Sequence, residues 1–346
     1  MISIPAFPVR DLKFEEITKC AHESWDFPTL KNSHLEPVIR SFRANIARVR
    51  FLMLLPTQIA GLMAFTQRTY DIAEYEITGS LRRDEFSLPA EVRSKIDKQA
   101  QEMLNAQKQR AESQRGTPQW DAFVGQFHVD AGNALRGLTE TPLGAYGFLD
   151  MLATPITGTW TAIETLLGDL WEATLNCHPK TLALLKGKPN RIGKPDTETS
   201  ADQRNDPAYN RDQKSIPLNL VGMNGFDLRQ SMGTVFRLQR RFEFTRLSSI
   251  REAYSCAFNT KSGKIDAALS NKSFDCLSVV RNVIVHKASV ADAEYHKHSS
   301  YLKIPKSDIG KPVLLDGKVV SDLIRQAIVS TKSLSIAVDD WIEQND

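Results

Sequence analysis

Cysteine is scarce in this chain, and none of it occurs in pairs. The 346 residues include four cysteines, spaced so widely that no C-x-x-C pair exists. This spacing argues against both a disulfide framework and a thiolate zinc site. We therefore predict no bound metal, and reduced, mostly buried thiols in a cytoplasmic protein. The four residues are Cys20, Cys177, Cys256 and Cys276.

The sequence also lacks a clear membrane span. Its most apolar segment, Phe51 to Phe65, is shorter than the roughly 20 residues that a spanning helix needs, and Pro56 interrupts it. The N-terminus has no apolar stretch of signal-peptide length, so export is not indicated. We predict that Phe51 to Phe65 is a buried helix and that the protein has no membrane partner.

A strong net charge of either sign is missing as well. With 44 basic and 41 acidic residues, the formal charge is only +3. Because so weak a field does not attract phosphates by itself, affinity for RNA would require local basic patches. Arg237, Arg240 and Arg241 form one candidate patch, and the lysines of a polar stretch at about 186–216 form another. For each, the alternative is an ordinary solvated surface with no RNA contact.

Apolar residues recur at helical spacing along most of the chain, as Ile163, Leu166, Leu167 and Leu170 do. We therefore predict an all-α protein, with a helical domain of unknown role over residues 1–150 and a helical bundle over 151–346. A connector rich in glycine, proline and threonine would lie at 137–159, and a long polar loop at about 186–216. We further predict one long helix over 226–258 and a turn with a little strand at residues 316–317.

The stretch LSVVRNVIVHKASVADAEY, Leu277 to Tyr295, places polar side chains in a run of valine and isoleucine. Propensity alone indicates a strand, since five of the eight residues in VVRNVIVH are β-branched. Periodicity indicates a helix, because Phe274, Leu277, Val280 and Ile284 follow three- and four-residue steps. We predict the helix.

On such a helix three polar residues, Arg281, Asn282 and His286, could act together in a reaction. Asn282 and His286 are four residues apart, so the amide can hold the imidazole in one orientation. Arg281 lies roughly 140° around the axis from His286, yet both side chains can converge on one phosphate. A histidine can move a proton on or off a ribose hydroxyl, while a guanidinium stabilises transition-state charge, without metal or cofactor. The structural alternative is an Arg281–Glu164 ion pair and a histidine that caps the helix.

The segment VVRNVIVHKASVADAEY resembles the signature of HEPN domains, α-helical bundles whose members carry R-N-x-x-x-H or R-x-x-x-x-H at the end of a late helix. The resemblance covers the second half of the chain. It extends to an early helix (AIETLLGDLW), a middle helix (SIREAYSCAFN) and a closing helix (VVSDLIRQAIVSTKSLSIAVDDWI). Residues 1–150 carry no comparable resemblance.

This resemblance implies a metal-independent endoribonuclease that cleaves RNA by transesterification. Arg281 and His286 would be the catalytic pair, and Asn282 their polar companion. A polar residue of the first bundle helix often completes such sites, and we expect Glu164 in that role, with Asp169 as the second choice. The residues predicted to contact RNA are Lys287, Arg237, Arg240 and Arg241.

The resemblance also implies a homodimer in which two motifs face each other across a cleft. Transesterification is helped by both a base and an acid, and one motif carries a single histidine. The second subunit, or else His296 or His298 nearby, would supply the other group, and we favour the dimer. Many HEPN bundles serve as toxins or anti-phage effectors, with an antitoxin or activator protein as partner. The alternative is a non-catalytic HEPN-like module that binds RNA or nucleotide, or only dimerises.

Overall fold

The protein is all-α, as predicted. The computed structural model describes residues 13–81, 88–138, 140, 142–185, 216, 218–239, 242–258 and 263–345. Within these ranges β pairing is limited to an isolated antiparallel bridge between Val290 and Pro312. A 3₁₀ turn lies at Ser33–Leu35, and the α-helices are α1 (Phe14–His22), α2 (Glu36–Thr78), α3 (Ala90–Ser113), α4 (Pro118–Leu138), α5 (Pro142–Cys177), α6 (Pro179–Leu182), α7 (Leu218–Met223), α8 (Met232–Leu238), α9 (Leu247–Phe258), α10 (Gly263–Leu269), α11 (Lys272–Lys287), α12 (Ala293–Ser299) and α13 (Gly317–Asn345).

The chain divides into two compact units. One consists of Met1–Ala21 and Phe51–Leu152, and the other of His22–Arg50 and Ala153–Asp346. The second unit includes residues 22–50 for a physical reason. The buried carboxylate of Asp339 on α13 accepts hydrogen bonds from the backbone N–H groups of Lys31 (2.8 Å) and Asn32 (3.0 Å). Two charge-assisted bonds therefore fasten this early segment to the last helix.

The N-terminal unit has a small apolar core that includes Ala73 on α2 with Ile96 and Ala100 on α3. The segment Phe51 to Phe65 is helical, but the prediction that it is buried is wrong in part, since Phe51, Leu62 and Met63 are 62%, 60% and 67% exposed. Pro56 lies within α2 and does not end it. In the described part of the chain, one helical stretch, Ser33–Thr78, is long and apolar enough to span a membrane, a criterion that core helices of soluble proteins also meet.

Helices α5 and α9 are joined by two buried hydrogen bonds. The indole Nε1 of Trp171 donates to the carbonyl of Ala253 (3.0 Å), and the hydroxyl of Tyr254 donates to the carbonyl of Leu167 (2.7 Å). Trp171 and Tyr254 are fully buried, so these bonds satisfy polar groups that would otherwise destabilise the core. The two helices thus form the inner part of the C-terminal unit.

Helix α11 packs against α9 and α13. Arg251 of α9 is 7% exposed, donates through Nε to the carbonyl of Leu269 (2.9 Å) and forms a two-pronged pair with the Asp275 carboxylate (2.8 and 3.0 Å). On another face, the hydroxyls of Ser273 and Ser330 are hydrogen-bonded at 2.8 Å, which ties α11 to α13. The start of α11 is therefore held from two sides.

Three local predictions are wrong. The predicted connector at 137–159 is largely helical, because α5 begins at Pro142 and continues through Pro155. Residues 226–258 form α8 and α9, with a break in which Phe242 and Phe244 both pack on Trp171 (5.5 and 5.4 Å between ring centroids). An unbroken helix would not point residues two apart at one ring.

The predicted turn at residues 316–317 is also wrong, because it begins a helix. Asp316 lies directly before α13, and its carboxylate accepts a hydrogen bond from the backbone N–H of Val319 (2.7 Å). An aspartate in this position satisfies one of the amides that the first turn of a helix leaves without a partner. The same Asp-Gly pair that is typical of a hairpin turn therefore serves here as a helix start.

We expect Arg251→Ala to lower the free energy of unfolding by about 3 kcal/mol, because Asp275 and the Leu269 carbonyl would lose their buried donor. Urea denaturation followed by circular dichroism measures this change. Arg229→Ala is the matched control, since the Arg229–Asp227 pair lies at the surface and contributes little. Equal unfolding midpoints for the Arg251 variant and the wild type would contradict the prediction.

Candidate active site on helix α11

The stretch that carries the polar motif is a helix, as its periodicity predicts. Helix α11 begins after Asn271, whose side chain accepts a hydrogen bond from the N–H of Ser273 (3.0 Å). Phe274, Leu277 and Val280 are fully buried along one face. Burial of this face outweighs the β propensity of the valines, because tertiary packing decides where intrinsic preferences are weak.

The side chains of Arg281, Asn282 and His286 meet near the end of α11. The Nη1 atom of Arg281 donates to Oδ1 of Asn282 (3.1 Å) and lies 3.3 Å from Nε2 of His286. A guanidinium has no acceptor atom, so Nε2 of His286 is the acceptor in this contact. Arg281 is partly buried, whereas Asn282 and His286 are exposed. We expected Asn282 to contact the imidazole of His286. In the structure this contact is made by Arg281.

Glu164 on α5 lies close enough to sense the charge of Arg281. Burial raises the pKa of Glu164, while a hydrogen bond from Trp160 and the positive charge of Arg281 oppose that rise. The Trp160 indole donates to Oε1 of Glu164 at 2.5 Å. Among the described side chains this indole is the hydrogen-bond donor to Glu164, and Arg281 forms no ion pair with it within 4 Å.

Trp160 also belongs to the candidate site, although it was not among the residues predicted from the sequence. It lies four residues before Glu164 on α5, a spacing that stacks two side chains on one helix face. Trp160 is 1% exposed, so its indole N–H needs an internal acceptor, and Glu164 provides it. The spacing of a tryptophan and a carboxylate is the signal from which this contact is predictable.

The backbone reverses in an unusual conformation directly after the motif. Ala288 and Ser289 both have positive φ values, 48° and 62°. Neither is glycine, and such residues are disfavoured there by about 1–3 kcal/mol each. The N–H of Ser289 donates to the Val283 carbonyl (3.0 Å), and the Ser289 carbonyl accepts from Val313 (2.7 Å). These bonds hold the reversal and with it the last turn of α11, where His286 lies.

Arg237 is engaged in a different part of the C-terminal unit. Its Nη1 atom bonds to the carboxylates of Asp169 (2.6 Å) and Glu172 (2.7 Å), and its guanidinium lies over the ring of Phe244 (5.7 Å). This arrangement holds α8 against α5. Asp169, the second choice for the site carboxylate, is therefore the partner of Arg237. A contact between Arg237 and RNA stays a prediction.

The remaining predicted residues are placed as follows. Lys287 is exposed and pairs with Asp292 at 3.4 Å. His296 is bonded through Nδ1 to the carbonyl of Ser307 (3.0 Å), and His298 to the hydroxyl of Tyr301. Both histidines thus hold the segment around α12. Arg240, Arg241 and the polar stretch at 186–215 lie outside the described residues.

Comparison of the chain with family models, curated proteins and solved structures finds no match. The resemblance to HEPN domains therefore stays a prediction that depends on the motif and its helical setting. In the described ranges, no group of three or more histidine, cysteine, aspartate or glutamate side chains is arranged to hold a metal ion. What the site can do follows from its geometry.

The raised pKa of Glu164 predicts a pH-dependent stability. A group whose pKa is higher in the folded state than in the unfolded chain favours folding at low pH, and this contribution is lost as pH rises above its ordinary value of 4.5. Glu164→Gln keeps an acceptor for Trp160 and removes the desolvated charge. We expect this variant to melt at a higher temperature than the wild type at about pH 7 and at the same temperature at about pH 3.

Thermal denaturation at the two pH values measures the effect of the Glu164 substitution. Glu102→Gln, which neutralises an exposed carboxylate on α3, is the control and should melt like the wild type at about pH 7. A Glu164→Gln variant that is less stable than the wild type at about pH 7 would show that the carboxylate stabilises the fold, contrary to the prediction.

Proposed function

We propose that the C-terminal unit is a metal-independent endoribonuclease, with Arg281, Asn282 and His286 on α11 and Glu164 on α5 as its site. The observation that carries the proposal is the contact between Nη1 of Arg281 and Nε2 of His286 at 3.3 Å. It places a permanent cation beside a group that transfers protons near neutral pH, on an accessible surface. These two groups are what the cleavage of a ribose phosphate requires.

The proposed reaction is a transesterification. His286 accepts the proton of a ribose 2′-hydroxyl, and the 2′-oxygen attacks the adjacent phosphorus. The bond to the 5′-oxygen of the next nucleotide breaks, and that oxygen takes a proton from a general acid. The products are a 2′,3′-cyclic phosphate and a 5′-hydroxyl. When a phosphate binds the Arg281 guanidinium, Nε2 of His286 is released to accept the proton.

The charge balance around Arg281 supports its role. Arg281 is hydrogen-bonded to Asn282 and His286 and to no described carboxylate, so its charge remains available to an anion. Arg237, by contrast, is neutralised by two carboxylates. Glu164 is close enough to favour the position of the Arg281 guanidinium but makes no ion pair with it. A carboxylate such as Glu164, which attracts the guanidinium without pairing with it, leaves the arginine able to bind phosphate.

The biological part of the proposal comes from the resemblance to HEPN bundles. On this proposal the protein is a cytoplasmic toxin or anti-phage effector that cleaves RNA and is controlled by an antitoxin or activator protein. The second candidate, a non-catalytic module that binds RNA or dimerises, uses the same exposed end of α11. The exposure of Asn282 and His286 is compatible with either, so the assay must separate binding from cleavage.

We expect the wild-type protein to cleave total RNA in the presence of EDTA, leaving 2′,3′-cyclic phosphate ends. His286→Ala and Arg281→Ala should each lower the rate by about 100-fold or more, because each removes a group that acts in the transition state. His34→Ala is the matched control, an exposed histidine outside the site. Gel electrophoresis and end-group analysis measure the products.

Two outcomes would refute cleavage by this site. If His286→Ala cuts RNA as fast as the wild type, the activity belongs elsewhere. If the wild type is inert across RNA types and with candidate activators, yet binds RNA in a filter assay, the non-catalytic module is correct. Loss of RNA binding in Arg281→Ala would then assign the same surface to binding alone.

We further propose that the nuclease is a homodimer with α11 at the interface. Two apolar side chains in and just after the motif are exposed. Val285 is 48% exposed and Val290 is 37% exposed. Burial of such side chains against a second copy would bring two His286 residues into one cleft, one as base and one as acid. This supplies the acid that a single motif lacks.

A mixing experiment tests the shared site. Wild-type chains are allowed to exchange subunits with an excess of His286→Ala chains at saturating RNA. If both histidines of a dimer are required, activity per wild-type chain should fall almost to the background. After mixing with an excess of Arg229→Ala chains, altered at a surface ion pair, the activity per chain that carries His286 should be unchanged. Full activity in the presence of excess His286→Ala would mean that each chain acts alone.

A further inference from the structure

The N-terminal unit contains a cavity of about 300 Å³ between α2, α3 and α4. Three phenylalanines form its apolar wall: Phe65, Phe123 and Phe127. Phe65 and Phe123 are packed edge to face, with ring centroids 5.8 Å apart. A volume of this size lies at the lower end of the range of small-molecule sites, and aromatic walls suit a flat, apolar ligand group.

The wall is held by a close approach between helices. A side chain at Gly61 on α2 would place its Cβ 2.4 Å from the ring of Phe127 on α4. Only glycine therefore allows this ring to lie against the backbone of α2. The backbone of α2 therefore bounds the Phe127 ring on one side, and the cavity lies along its other contacts.

One polar atom in the cavity has no partner. The amide oxygen of Gln107 on α3 is shielded from solvent and accepts no hydrogen bond from any described residue. Such atoms are rare in folded proteins because an unsatisfied buried acceptor destabilises the fold. Gln107 lines the cavity, so a rotation of its side chain would turn this oxygen toward the N–H donor of a bound molecule.

Among the described residues that line the cavity, Arg110 is a cation without a paired carboxylate. Arg68 lies 3.6 Å from the carboxylate of Asp130, which also accepts a hydrogen bond from Gln126 (2.8 Å). Arg110 on α3 lines the same cavity, and its guanidinium forms no ion pair with any described residue. An exposed guanidinium at the edge of an apolar cavity is suited to a phosphate or carboxylate.

We propose that this cavity binds a purine nucleoside monophosphate. The purine stacks among Phe65, Phe123 and Phe127, its amino or ring N–H donates to Oε1 of Gln107, and the phosphate pairs with Arg110. The two polar parts of the ligand thus meet groups that have no partner among the described residues, Oε1 of Gln107 and the guanidinium of Arg110. This proposal does not depend on the proposed RNA cleavage, since none of the cavity residues belongs to the α11 site.

Isothermal titration calorimetry on the full chain tests the site with three probes: adenosine monophosphate, adenosine and inorganic phosphate. We expect the nucleotide to bind most tightly. Arg110→Ala should weaken nucleotide binding by about tenfold or more and leave adenosine binding unchanged, because it removes only the phosphate contact. Arg93→Ala, an exposed arginine on the same helix but outside the cavity, is the matched control and should bind like the wild type.

Gln107→Leu separates binding from folding. It should weaken both the nucleotide and adenosine, and the ligand-free variant should melt at the same temperature as the wild type or higher, because an acceptor without a donor is removed. Three results would overturn the proposal: no binding of the nucleotide, equal affinity in the Arg110 and Arg93 variants, or undiminished binding by Gln107→Leu. Binding of inorganic phosphate alone would show an anion site without a base pocket and would overturn it too.

Discussion

The ion pair between Arg251 and Asp275 sets the orientation of α11, on which the candidate site depends. Asp275 is near the start of the helix, and Asn282 and His286 follow it by seven and eleven residues, which places all three on one stripe of the helix surface. Near its start this stripe meets α9, and by the last turns of α11 it has reached solvent. The rotation that satisfies the buried ion pair therefore also presents Asn282 and His286 to the outside.

The same region contains several features that oppose stability. Glu164 is an ionisable group whose pKa is raised by burial, and Ala288 and Ser289 take positive φ values that neither residue favours. Such features persist only where surrounding packing compensates, and they concentrate at functional sites. Here the compensation comes from the buried face of α11 and from the backbone pairing between Ser289 and Val313. The destabilising features at Glu164 and at Ala288 and Ser289 favour a functional role for this region over a purely structural one.

Helix α11 and most of α13 were predictable from sequence because apolar spacing reports burial directly. The continuity of α5 was not, since Pro155 and nearby glycines are typical of connectors, yet the long helix accommodates them. The attachment of Lys31 and Asn32 to Asp339 joins parts of the chain about 300 residues apart, which no local pattern reveals. The convergence of Arg281 and His286 was predictable from helix geometry, and so was the contact between Trp160 and Glu164, which lie four residues apart on α5.

Which arginines can bind an anion is decided by tertiary pairing and not by local sequence. Arg237 lies in a basic stretch, and α5 presents two carboxylates to it. Arg281 lies in an apolar stretch, and its hydrogen-bond partners are Asn282 and His286. In the N-terminal unit the same contrast separates Arg68, which faces Asp130, from Arg110. Because a guanidinium always carries its charge, the absence of a neutralising carboxylate, and not the number of basic residues nearby, is what leaves an arginine able to pair with a phosphate.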